Sequence, residues 1–93
     1  MANVRQLVER LLSIVVKEGA SDLHIAVGRH PTIRMDGVLT PLLKEEVMTA
    51  DAARAFIFEL TSPAQQEKFL RAKELDFSYD FQDRARFRVN VFH

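Results

Sequence analysis

The stretch ELDFSYDFQDRARFRVNVFH, residues 74–93, decides the fold of this chain. Apolar and polar residues alternate strictly on both sides of the short segment QDRA, residues 82–85. A period of two is typical of a strand with one buried face, so the pattern predicts two antiparallel strands joined by a turn. The apolar face of this hairpin needs a partner layer, and its polar face carries two arginines.

The register of the hairpin follows from the same pattern. If Phe81 pairs with Ala85, every odd-numbered apolar side chain of the two strands lies on one face and the even-numbered polar side chains lie on the other. The expected cross-strand pairs on the polar face are Asp80 with Arg86 and Ser78 with Arg88.

Residues 3–42 predict one helix and three strands. Helical spacing of apolar residues predicts a helix over residues 3–19, with Asn3 as its cap and Gly19 just past its end. Residues 21–28 alternate as a strand. Residues 32–42 form a second hairpin around Asp36-Gly37, a strong signal for a two-residue turn. Pairing across that turn sets Arg34 opposite Leu39.

Two further helices are predicted over residues 49–60 and 62–74. Thr49 caps the first, and Ser62, Pro63 and Gln65 form a capping signal for the second. The predicted order α-β-β-β-α-α-β-β gives an α+β domain, with about five mostly antiparallel strands and helices packed on them. Residues expected to be buried are Val4, Leu7, Leu11, Val15, Leu23, Ile25, Phe56, Ile57, Leu60, Phe77, Val89 and Val91.

Composition narrows the possible functions. The chain has 93 residues, is 47% hydrophobic and contains 13 basic and 13 acidic residues, which predicts one small domain. A net charge of zero argues against a nucleic-acid binder and against a polybasic membrane anchor. No apolar run approaches the length of a membrane span and no signal-peptide pattern is present, so we expect a cytoplasmic chain that is not membrane-embedded.

The sequence contains no self-sufficient active site. It has no cysteine and no P-loop, and its three histidines lack metal-ligand spacing. We therefore expect no catalytic residue, no metal and no cofactor in this chain. Arg86 and Arg88 have two interpretations, which can both hold. They are ion-pair partners across the hairpin, or they present permanent charge and a planar fork to a phosphate supplied by something else.

Three short motifs carry a family resemblance. They are GASDLH (residues 19–24), R-x-D-G (residues 34–37) and FRVN (residues 87–90). With the segments around them, they resemble the N-terminal domain of the PilT-type twitching-motility ATPases, the retraction motors of type IV pili. Members of that family are cytoplasmic bacterial hexamers at the inner membrane. Each subunit has a PAS-like N-terminal domain, followed by a RecA-like domain that binds ATP and Mg²⁺.

The resemblance implies that residues 1–93 are a PAS-like N-terminal domain without its RecA-like domain. It implies that Arg86 and Arg88, with Arg34 a weaker third, reach nucleotide on the RecA-like domain of the same or a neighbouring subunit. It also implies that the family's sheet continues past residue 92. Residues 86–92 would then form an open strand edge through which the chain dimerises. The alternative function is a free-standing PAS-like sensor or protein-interaction module.

Overall fold

The computed structural model describes residues 4–82 and 85–93. The order of helices and strands is the predicted one. The proposed cap Asn3, the side chain of Val4, and Asp83 and Arg84 of the predicted turn lie outside the described residues. The elements are α1 (Val4–Glu18), β1 (Asp22–Ala26), β2 (Thr32–Met35), β3 (Val38–Pro41), α2 (Ala50–Leu60), α3 (Pro63–Ala72), β4 (Glu74–Phe81) and β5 (Ala85–Phe92).

The five strands form one sheet in the order β3-β2-β1-β5-β4. Three of its neighbouring pairs are antiparallel, and β1 and β5 are parallel. The predicted registers are confirmed in both hairpins, including Phe81 with Ala85 and Arg34 with Leu39. The α+β, PAS-like architecture, a mostly antiparallel sheet with helices packed on it, is therefore confirmed.

The prediction that residues 86–92 form an open edge is wrong. The strand β5 is hydrogen-bonded to β1 on one side and to β4 on the other, which places it inside the sheet. Its second neighbour comes from the start of the chain, and hairpin pattern alone gives no sign of such a non-local pairing. The edges of the described sheet are β3 and β4. The self-association expected from an open edge stays a prediction.

The three helices and one face of the sheet enclose the hydrophobic core. Helical residues such as Leu11, Phe56 and Phe69 are in one cluster with odd-numbered residues of β1, β2, β4 and β5. Of the residues expected to be buried, Leu7, Leu60 and Phe77 are partly buried against this cluster. Those confirmed as fully buried are Leu11, Val15, Leu23, Ile25, Phe56, Ile57, Val89 and Val91.

Local signals account for where the elements begin and end. Ser62 and Gln65 form the capping box that starts α3, each side chain bonding the other residue's backbone N–H. Thr49 caps α2 by accepting a hydrogen bond from the backbone of Ala52. Asp36 and Gly37 both have positive φ, as a two-residue hairpin turn requires.

Candidate functional site

The candidate site is the sheet face opposite the core, called here the polar face. It comprises residues 22, 34, 76, 78, 80, 86, 88 and 90, which the strand registers bring together. All three arginines predicted from the sequence lie on it. Arg86 and Arg88 are on β5, in the interior of the sheet, and Arg34 is on β2.

Asp22 lies between two of these arginines. Antiparallel pairing sets it opposite Arg34 on one side, and parallel pairing sets it opposite Arg88 on the other. Its Oδ2 atom is 3.6 Å from Nε of Arg34, and its Oδ1 atom is 3.9 Å from Nε of Arg88. The hydroxyl of Ser21 donates to Oδ2 at 2.6 Å. With only 7% of its surface exposed, Asp22 is a buried carboxylate shared by two guanidinium groups.

Arg88 has a second and closer carboxylate partner. Its Nη2 atom donates to Oδ2 of Asp76 at 2.5 Å. This hydrogen bond, together with the charge of Asp76, raises the pKa of Arg88 above its ordinary value. Asn90 lies beside Asp76. When its amide group is turned toward Asp76, the amide nitrogen donates to Oδ1 at 3.1 Å and to Oδ2 at 3.3 Å.

Arg86 is in a different environment. Its Nε atom is 3.7 Å from Oδ1 of Asp80, and the two side chains are 72% and 64% exposed. An ion pair with that exposure contributes little to stability, because water screens both charges. The ion-pair interpretation of the two β5 arginines is thus confirmed. Arg86 pairs with the residue directly opposite, whereas Arg88 reaches diagonally to Asp76.

The sequence reasoning did not select Asp22 as a site residue. The sequence feature that could have identified Asp22 is its position in GASDLH, the first of the three motifs that carry the family resemblance. Alternation within β1 puts Asp22 on the same face as His24 but does not say which strands flank it. Only the sheet order, with β1 between β2 and β5, shows that Asp22 meets two arginines.

The histidines do not form a metal centre. Within residues 4–82 and 85–93, no three histidine, aspartate or glutamate side chains are grouped so as to hold a metal ion. His30 lies with Nδ1 2.8 Å from the backbone carbonyl oxygen of Glu45, which ties the segment before α2 to the start of β2. His24 is half-buried on β1, and its Nε2 atom is enclosed without a hydrogen-bond partner among the described residues.

A sensor domain would need room for a small molecule between its sheet and its helices. Large side chains fill that space: Phe56, Phe69 and Phe87 are each less than 5% exposed. A groove of about 440 Å³ lies at the surface between α1 and the start of α2. Within it, Arg10 donates to Glu45 at 2.8 Å, and this hydrogen bond raises the pKa of Arg10.

None of the helices in the described part of the chain is both long enough and apolar enough to cross a membrane.

The fold and the polar face together define a class of protein: a small α+β domain with arginines fixed on the open face of its sheet. Comparison with known proteins specifies that class further. Over 91 residues the chain is 37% identical to the type IV pilus retraction ATPase PilT of Pseudomonas aeruginosa, covering 92% of this chain and 25% of that protein. It is 28% identical over 85 residues to the type IV pilus ATPase PilU of the same organism.

A solved structure gives the same result. The crystal structure of the pilus retraction motor PilT with bound ADP superposes with a TM-score of 0.69 at 28% identity. The superposition covers 92% of this chain and 25% of that one. No protein-family model matches the chain. Over most of its length the chain is therefore similar, in sequence and in fold, to part of these PilT-like ATPases, and it spans about a quarter of the length of these relatives.

Proposed function

We propose that this chain is the N-terminal domain of a type IV pilus retraction ATPase and that it supplies arginines to the nucleotide site of a RecA-like domain. The observation that carries the proposal is the match of 92% of the chain, in sequence and in structure, to PilT, a retraction ATPase whose structure was solved with ADP. The RecA-like domain would belong to the same or a neighbouring subunit of a hexamer.

The geometry of the polar face supports this role. Arg88 extends from the interior of the sheet, where backbone bonds on both sides hold its position, while its side chain remains 60% exposed. A guanidinium on a rigid strand places positive charge where phosphoryl transfer spreads negative charge, and its planar fork fits phosphate oxygens. Arg86, two residues earlier, is more exposed and is paired with β4 alone, and Arg34 is a less exposed third.

Catalysis would then lie outside residues 1–93. ATP and Mg²⁺ would bind to the RecA-like domain, and residues 1–93 would be non-catalytic by themselves. The whole motor would work in the cytoplasm at the inner membrane, beside the pilus machinery. The domain would dock on its neighbour, help to close the nucleotide site and shift as ATP is hydrolysed.

The test is Arg88→Ala in the full-length ATPase. Loss of an arginine finger typically lowers turnover by about 10³–10⁵-fold, so we expect a fall of at least one order of magnitude. Arg54→Ala is the matched control, because Arg54 is an exposed arginine on α2, on the other side of the sheet. Unchanged turnover in Arg88→Ala, with a clear loss of thermal stability, would show that Arg88 is an ion-pair partner and nothing more.

A further inference from the structure

We propose that Asp22 is the positioning residue of this site: it holds Arg34 and Arg88 side by side as one unit that receives phosphate oxygens. The phosphate-binding part of this inference rests on the proposed function. The holding of the two arginines stands on geometry alone.

Backbone hydrogen bonds of Ser21 connect the strands that carry Asp22, Arg34 and Arg88. The N–H of Ser21 donates to the carbonyl oxygen of Arg34 at 3.0 Å, and the carbonyl oxygen of Ser21 accepts from the N–H of Arg88 at 3.1 Å. The residue immediately before Asp22 therefore connects β2 and β5 across β1. This fixes the starting points of both arginine side chains relative to the Asp22 carboxylate.

The carboxylate divides its two oxygens between the two guanidinium groups. Oδ2 faces Arg34 and is held by the Ser21 hydroxyl, and Oδ1 faces Arg88. The side chain of Asp22 is 10% exposed, whereas those of Arg34 and Arg88 are 38% and 60% exposed. A buried, hydrogen-bonded carboxylate has few alternative positions, so it acts as the fixed point, and Arg34 is held a second time where its Nη1 donates to the carbonyl oxygen of Gly37 at 3.1 Å.

Arg88 is held by two carboxylates of different character. Asp76, the closer one, has a side chain that is 51% exposed, and it lies on the edge strand β4. An incoming phosphate can take the place of this exposed carboxylate on Nη2, while Asp22 keeps Nε directed along the sheet. Asn90 is buried beside Asp76, and its amide nitrogen, when turned toward that carboxylate, still donates to it after the exchange.

Charge balance favours the exchange. Two arginines and two aspartates leave the resting cluster neutral, which lets the guanidinium groups lie close together without strong repulsion. When Asp76 moves aside, Asp22 and the two arginines carry a net positive charge directed at the ligand. Without Asp22, the same two guanidinium groups would repel each other and separate.

The first test uses this chain by itself. Asp22→Asn keeps the shape of the side chain and removes its charge, and Asp80→Asn is the matched control on the isolated pair with Arg86. NMR exchange of the Nε–H protons with water reports each arginine separately. We expect Asp22→Asn to accelerate exchange several-fold at Arg34 and Arg88 but not at Arg86, and Asp80→Asn to do the reverse. A folded Asp22→Asn domain with unchanged exchange at both arginines would overturn the proposal.

A second variant covers the case in which Asp22→Asn does not fold. Arg34→Gln leaves the whole Asp22 carboxylate to Arg88, so exchange at Arg88 should slow while exchange at Arg86 stays constant. If Arg88 does not respond to the loss of Arg34, the two arginines are not joined through Asp22 and the proposal is wrong.

The third test uses the full-length ATPase and separates this inference from the proposed function. Asp22→Asn should lower kcat about tenfold or more, Asp22→Glu should restore part of the activity, and Asp51→Asn on α2 should change nothing. Suppose that Arg88→Ala leaves turnover intact but Asp22→Asn accelerates Nε–H exchange at Arg34 and Arg88. The proposed function then fails, and the positioning by Asp22 stands. If Arg88→Ala abolishes turnover but Asp22→Asn does not lower it, the positioning role in catalysis is refuted.

Discussion

Truncation of Val89 to alanine tests the central position of β5, on which the candidate site depends. Val89 is completely buried, and its direct neighbours in the sheet are Leu23 on β1 and Phe77 on β4. The alanine variant removes two methyl groups from a place that is enclosed on both sides and covered by helices. Val38→Ala is the matched control, because it makes the same chemical change at a valine of the edge strand β3 that is 62% exposed.

The expected magnitude follows from burial. Two buried carbon groups are worth about 0.8 kcal/mol each in transfer free energy, or about 1.6 kcal/mol. The cavity that remains adds about 1 kcal/mol, at about 24 cal/mol per Å³ for a space the size of two methyl groups. Val89→Ala should therefore lower the free energy of unfolding by about 2–3 kcal/mol. The exposed control should lower it by less than about 0.5 kcal/mol.

Urea denaturation followed by far-UV circular dichroism is the appropriate assay. With an m-value of about 1–3 kcal/mol per molar urea, the midpoint for Val89→Ala should fall by about 1 M or more, with m unchanged. The melting temperature should fall by about 10–20 °C, as expected for a domain of this size. Equal and small losses in the two variants would refute the argument, because they would mean that one side of β5 is open to water.

Three further predictions concern the chain by itself. It should neither hydrolyse ATP nor bind it with micromolar affinity in calorimetry, because no Gly-rich phosphate cradle is present in its sequence; a micromolar dissociation constant would contradict the proposal that ATP binds to a RecA-like domain and not to these residues. Dimerisation should use the edge strand β3, because Val38 and Leu39 are exposed there. In light scattering across a concentration series, Thr40→Lys should abolish the dimer and Ser78→Lys should not. Ser62→Ala should cost about 1 kcal/mol of stability by removing the cap of α3, and a change near zero would show that Gln65 alone satisfies the helix end.

Local pattern was sufficient to predict every element and both hairpin registers. The reason is that the two-residue turn Asp36-Gly37 sets the register of the β2–β3 hairpin, whereas in the β4–β5 hairpin strict alternation leaves only one way to bury the apolar face, with Phe81 opposite Ala85. Capping was equally local, since Ser62 and Gln65 are three residues apart on one turn of helix. Signals of this kind act within a few residues and can be recognised in one sequence.

The pairing of β1 with β5 was not predictable in the same way. No turn joins these strands, and the alternation in each is compatible with several neighbours. The wrong expectation of an open edge at residues 86–92 and the omission of Asp22 have this single cause. Both depend on which strand lies beside β5, and helix packing and the burial of Leu23 beside Val89 decide that only in the folded molecule.

The parallel pairing of the first strand with the last has a consequence for the order of events during synthesis. Asp22 emerges from the ribosome early and Arg88 near the end of the segment, so their contact can form only after β5 has been made. Closing so long a loop carries an entropic cost before any contact offsets it, which makes this step slow compared with formation of the hairpins. The two guanidinium groups thus become a matched pair only when the last strand enters the sheet. A half-made chain that has not yet reached β5 therefore lacks the contact between Asp22 and Arg88.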